Sequence, residues 1–148
     1  MGLRCHLSQI DDSIAERLVS GERPQYESAS SLDIDKAWGG IHFLLCGSVD
    51  SGSQPERFIM SGYQLPEVSE HVAVHRASEV ADFDVALARV SDEELLGRME
   101  FDEMNRLDVY PGDWGEADRP YLAEYLLKLR RFISDTASAD MALIVTIL

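Results

Sequence analysis

The chain has 148 residues, enough for one domain with a sizeable core, and 45% of them are hydrophobic, as in soluble globular proteins. Its 27 acids against 13 bases give a formal net charge of −14, which excludes a phosphate-binding surface of clustered Lys and Arg and so predicts no nucleic acid partner. No stretch reaches the roughly 18 to 20 apolar residues of a membrane span. The same acidity permits a basic protein partner, although many acidic surfaces serve solubility alone.

At the start, "GLRCHL" alternates Leu3, Cys5 and Leu7 against Arg4 and His6, which predicts a strand. Ser8 is then placed to cap a helix carrying Ile10, Ile14 and Leu18 at helical spacing, stopped by Gly21. This opening has no apolar run of about seven residues or more, so no export signal is read. His6 occupies the position where a myristoylation motif needs Ser or Thr. Cys5 and Cys46, the only cysteines, sit among apolar neighbours and are expected to be free thiols in a reducing cytoplasm.

After the polar loop "ERPQYESASS", the stretch "SLDIDKAWGGIHFLLCG" reads as a helix over residues 33–46. On a wheel of about 100° per residue, Ile34, Trp38, Ile41 and Leu45 share the core face. Asp35, His42 and Cys46 line its polar boundary. Asp35 and His42 lie seven residues apart, about 10 Å along the axis, too far to bond one another. His42 and Cys46 are four apart and could give two zinc ligands, but a site needs three or four. His6, His71 and His75 do not complete the set, so neither a metal nor a cofactor is expected. Gly39-Gly40 inside a helix costs roughly 1 kcal/mol per glycine relative to alanine, tolerable where another backbone or a ligand approaches closely.

Ser53 and Glu56 form a capping box ahead of a short turn over 58–61. "HVAVHR" alternates as a second strand, and Ser78 opens a helix with Val80, Phe83, Leu87 and Val90 on one face. Ser91 and Glu94 make a second capping box. The following "DEELLGRMEFDE" holds six acids in twelve residues and reads as one solvated helix face; Glu93, Glu100 and Glu103 are the candidate contacts for a basic partner. "DVYPGDW" is a break that puts Tyr110 and Trp114 on a loop.

Asp118 and Pro120 begin the longest helix, whose face from Tyr121 to Ile133 spans about 140°. The tail "MALIVTIL" is apolar on both faces, as in a central strand covered on both sides. No phosphate loop and no G-x-S-x-G elbow occurs. These elements leave α+β and α/β both open, helix-rich, with a small mixed sheet of about three or more strands.

"LDIDKAWGGIHFLLCG" followed by "FDEMNRLDVYPGDW" resembles the YfbM-like family, domain of unknown function 1877, through Leu32, Asp33, Ile34, Asp35, Lys36, Trp38, His42, Gly47, Tyr110, Pro111 and Trp114. The chain departs from that pattern at Gly39-Gly40 and Cys46, where a bulkier residue and a Thr are expected. The resemblance covers nearly the whole chain and implies a single α+β domain over residues 1–148 of a cytosolic bacterial protein. It implies no activity. Two functions follow as expectations. One is a binding or protein-interaction module, immunity-like or regulatory, that uses the acidic surface. The alternative is an enzyme or small-ligand binder with a cleft between the 31–47 helix and the 108–115 loop. There Asp35, Lys36, Trp38, His42, Tyr110 and Trp114 would meet, with His42 as acid/base.

Overall fold

A computed structural model describes residues 2–148. Its centre is the apolar tail, β5 (Ala142–Ile147), flanked by β1 (Cys5–Ile10) and β4 (His71–His75). Two short strands, β2 (Ser31–Asp33) beside β1 and β3 (Tyr63–Gln64) beside β4, form the edges of a five-stranded sheet. Every pairing is antiparallel, so the mixed sheet expected from sequence is corrected to a purely antiparallel one. The fold is α+β. β3 and β4 are joined by the short loop 65–70, whereas connections carrying helices separate the other paired strands, and each strand returns in the opposite direction to its neighbour.

The period-2 pattern divides the core in two. Leu143, Val145 and Ile147 of β5 join Cys5 and Leu7 in the main cluster, while Ala142 and Ile144 face a smaller one with Ile10 and Val74. Ala15 and Leu18 of α1 (Asp12–Val19) close the smaller cluster. The main face is covered by α3 (Ala77–Ala88) and α6 (Arg119–Ser138), and α2 (Trp38–Cys46) packs against α6 within the same core. α6 buries Leu122, Leu126, Leu129, Phe132 and Ile133, the stripe that its spacing predicts.

Three boundaries differ from the sequence reading, the first two because a longer-range pairing wins over a local signal and the third because of a local turn. Ser8 does not cap a helix: Ser8, Gln9 and Ile10 pair with Ile144, Leu143 and Ala142, and Asp11 becomes the N-cap of α1. Residues 31–33 form an edge strand rather than the start of a helix, because His6, Leu7 and Ser8 pair with Asp33, Leu32 and Ser31. Asp35 then takes a left-handed backbone with φ 53°, a 3-10 turn spans Asp35–Ala37, and regular helix starts only at Trp38.

The shortened α2 has no polar edge. Trp38 through Leu45 are all buried, His42 included, which is how a helix apolar all round behaves. The "DEELLGRMEFDE" segment is likewise not one helix face. It folds as α4 (Asp92–Leu96) and α5 (Phe101–Arg106), separated by residues 97–100 and anchored by buried Leu95, Met99 and Met104. The Ser91 cap forms as expected, its Oγ accepting from the Glu94 N–H at 3.0 Å. Among the described residues no helix is long and apolar enough to cross a membrane.

Ile41 is fully buried at the centre of α2. Ile41→Ala should therefore cost roughly 2 to 5 kcal/mol in chemical denaturation, the range of large-to-small core changes. A loss below about half a kcal/mol would place Ile41 outside the core.

Candidate functional site

Both sequence motifs converge on the first residues of the chain. The Trp38 and Tyr110 rings stack with centroids 4.9 Å apart and planes 20° from parallel. Trp38 Nε1–H donates to the Leu3 carbonyl at 3.0 Å, and the Leu3 N–H donates to the Tyr110 hydroxyl at 2.6 Å. Both backbone groups of Leu3 are thus held by the aromatic pair. A Cβ at Gly2 would run into the Tyr110 hydroxyl and would come within 2.8 Å of the Lys36 side chain, so Lys36 also lies against this segment.

Just before β1, Arg4 spans two acids. Its guanidinium lies 2.7 Å from Asp33 Oδ2 and 2.9 Å from Asp35 Oδ1. Asp33 Oδ1 accepts the Asp35 N–H at 2.7 Å, a local turn that competes with helix and holds Asp35 in its left-handed conformation. Tyr121 of α6 donates its hydroxyl to Asp35 Oδ2 at 2.8 Å. His6 Nε2 stands 3.4 Å from Asp33 Oδ2.

The electrostatics follow from these contacts. Burial pushes the Asp33 carboxyl up, but the Arg4 hydrogen bond, the Asp35 N–H and the His6 and Arg4 charges outweigh it and hold it below its ordinary value. Burial and then the bond to Asp35 raise Tyr121 well above the ordinary phenol. Neither group is poised for proton transfer near neutrality. The cluster can position an edge strand and can present a partly exposed Arg4–Asp33 pair.

Gly39 and Gly40 are required by close approach. A Cβ at Gly39 would sit 2.5 Å from the Tyr110 carbonyl oxygen, and one at Gly40 would sit 2.9 Å from the Trp114 ring. Trp114 is buried, with its Nε1–H donated to the Val109 carbonyl at 2.9 Å. Asn105 clasps its backbone on both sides, accepting from Trp114 N at 2.8 Å and donating to its carbonyl at 2.9 Å.

Of the residues singled out from sequence, then, Asp35, Lys36, Trp38 and Tyr110 gather around the N-terminal segment, and Trp114 lies beneath Gly40. His42 is engaged elsewhere: its Nε2–H donates to the Ser51 carbonyl at 3.0 Å. Its Nδ1 is buried without a partner. Glu93 lies on α4, Glu100 at the start of α5, and Glu103 is ion-paired with Arg106. Arg4, Tyr121 and Asn105 belong to these networks and carry no local motif. Only the alternation of Arg4 and His6 on an outward strand face hinted at the first. Among the described residues no group of three or more His, Cys, Asp and Glu is placed to hold a metal ion.

Burial lowers the His42 pKa from its ordinary 6.5, with Arg57 acting in the same direction and the Ser51 carbonyl and Asp50 opposing. The unfolded chain therefore takes up the proton first on acidification. The contribution of neutral His42 is complete above about pH 6.5 and is lost as the pH falls toward the lower folded value. The melting temperature should drop between pH 7 and 5, and His42→Gln, which keeps a donor for Ser51, should reduce that drop. An equal drop in the variant would remove His42 from the effect; His71, also lowered by burial and by its neighbour His75, is the other contributor to separate.

Among curated proteins none matches the chain. The crystal structure of a protein of unknown function, YfbM from Escherichia coli, superposes with a TM-score of 0.73 at 21% identity, covering 98% of this chain and 99% of that one. This likeness shows a shared fold. The family model described as domain of unknown function (DUF1877) matches residues 1–146. With nearly its full length matched, the chain belongs to the YfbM-like DUF1877 family.

Proposed function

We propose that this chain is a protein-interaction module that docks a basic partner through its acidic surface. One observation carries the reading: the space between the two motif segments is taken by the chain's own residues 2–4, hydrogen-bonded to Trp38, Tyr110, Asp33 and to the carboxylate of Asp35 by its ion pair. The motif aromatics then serve to build the molecule, and recognition falls to the surface. A catalytic cleft between 31–47 and 108–115 has less support, since His42 bonds the Ser51 loop and Trp38 is only 8% exposed.

The charge distribution favours the α4–α5 region. Arg98, Arg106, Arg119 and Arg130 are all already committed to carboxylates there. Glu93, Glu100 and Asp102 remain exposed. Glu100, Asp102 and Glu116 also rim a hollow of about 340 Å³ whose wall includes Met99, Phe101 and Trp114. Arg119 already pairs with Glu116 and lies 5.2 Å over the Phe101 ring there, so Glu100 and Asp102 are the carboxylates left to meet an incoming Arg or Lys side chain. Free thiols at Cys5 and Cys46 support a cytoplasmic setting for this work.

Replacing Glu93, Glu100 and Glu103 together with Gln should slow capture of the basic partner about tenfold at low salt and flatten its salt dependence. Most of that effect should come from Glu93 and Glu100, because Glu103 is paired with Arg106. The check is a pull-down from native lysate at low and high salt, with captured proteins identified and their binding rates measured. Equal retention in every condition would make this surface a solvated face only.

A further inference from the structure

Residues 48–57 run from the left-handed C-cap of α2, Gly47 at φ 69°, to the 3-10 turn Phe58–Met60. Both ends are fixed. The Gly47 N–H closes α2 on the Phe43 carbonyl at 2.7 Å. Phe58 and Ile59 are fully buried, and the Phe58 carbonyl accepts from His75 Nε2–H at 2.8 Å. The strap between these ends is bonded mainly to itself. Ser48 and Ser51 share a hydrogen bond of 2.6 Å between their hydroxyls, and the Arg57 guanidinium donates to the Asp50 carbonyl at 3.0 Å. Among the described residues, one hydrogen bond ties the strap to the body of the protein: His42 Nε2–H to the Ser51 carbonyl. Apolar support is slight, since Val49 is only partly buried and residues 50–54 are exposed.

That single latch is an ionisable ring. His42 is fully buried, and with Nε2 holding the proton given to Ser51, its Nδ1 is a bare nitrogen without a partner. The neutral ring tolerates this. A charged ring must carry a second proton at Nδ1, where no acceptor stands. The two charges that act on the ring both belong to the strap: Asp50 favours the charged form and Arg57 opposes it. The other neighbours do not offset Arg57. Cys46, one turn along α2, is a thiol pushed up to about 11, first by burial, and so is neutral. Arg98, beside α4, is spent on the Leu44 carbonyl and Glu94. α6 meets α2 through Leu122, and the 58–60 turn through its buried apolar side chains.

We propose that residues 48–57 form an acid-released strap, latched by the neutral His42 ring and freed when that ring takes up a second proton. Lifting the strap carries Arg57 away from the ring and lets water reach it, so both obstacles to the proton go together. In the closed state burial and Arg57 hold the ring below its ordinary 6.5, and in the open state it returns to about that value. Opening is therefore favoured as the pH falls below about 6.5, by up to about tenfold per pH unit, until the closed ring titrates too. The two cysteines report on this separately. Cys46 lies under the strap, where a Cβ at Gly52 would come within 2.6 Å of its Sγ, whereas Cys5 is sealed in β1 at 0% exposure.

The test labels the intact protein with a dipyridyl disulfide, which reacts with thiols even in acid, each rate being divided by that of glutathione at the same pH. Between about pH 7 and 5, Cys46 labelling should quicken about tenfold while Cys5 stays unlabelled. His42→Gln keeps a donor for Ser51 but takes up no proton, so it should flatten the response. His71→Gln, on a ring that makes no bond to the strap, should keep it. Arg57→Gln removes the opposing cation and should shrink the acceleration. Where His42→Gln labels Cys5 at neutral pH, that variant has lost its fold, and the Arg57→Gln response decides. Cys5 and Cys46 quickening together would overturn the proposal, because acid then unfolds the whole domain. So would a Cys46 rate that ignores pH, or an acceleration that survives His42→Gln, disappears in His71→Gln or is undiminished in Arg57→Gln.

Discussion

The constraint on which the rest of the structure depends is the bare stretch of α2 at Gly39 and Gly40. There the Tyr110 backbone and the Trp114 ring rest directly on the helix, at separations where an added methyl would collide. Any side chain at these positions would lift the 108–115 loop away. Tyr110 would then lose its stacking partner Trp38, and Leu3 would lose both of its anchors. Leu3 leads into β1, and β1 sets the register of both β2 and β5. The helix penalty of two glycines, roughly 1 kcal/mol each, is small beside the packing it permits.

That same contact explains why α2 is buried on every side. A helix held by α4, by α6, by the 58–60 turn and by the 108–115 loop has no face left for solvent, and its one polar side chain must find a partner inside. His42 does so with Ser51, which makes the 48–57 loop part of the core's polar accounting. The acid-sensitive contribution of His42 is a direct result of that enclosure.

The elements with sustained periodicity were legible from sequence: the stripe of α6, the apolar tail as the central strand, and the alternating β4. Their signals repeat over enough residues to outweigh local noise, and burial agrees with them at Leu126, Leu129, Val145 and Val74. Boundaries near the clasp were not legible. Ser8 is a good capping residue and Leu32-Asp33 can start a helix, yet strand pairing decides both. The site was legible as segments rather than as partners. Trp38, Tyr110 and Asp35 stand out by type, whereas Arg4 and Tyr121 reach Asp35 across 31 and 86 positions of chain, a relation that no local pattern encodes. The "DEELLGRMEFDE" face failed as one helix because burial of Leu95, Met99 and Met104 required a break between them.

Charge and packing also divide the molecule in a way that bears on recognition. Near the clasp, acids are consumed in holding the chain: Asp33 and Asp35 share Arg4, and Asp35 takes the Tyr121 proton donor besides. On α1 and α3, Asp12 binds Arg76 at 2.9 Å and also accepts the Ala77 N–H, adding a second cap to the Glu79 carboxylate that accepts the Arg76 N–H from within α3. These carboxylates are structural and unavailable to a partner. Acids outside these networks, Glu93, Glu100 and Asp102 among them, lie exposed on short helices and their caps, over a backbone fixed by a few buried apolar anchors. A partner reading these acids would sense their field before contact, and would require no change in the core that supports them.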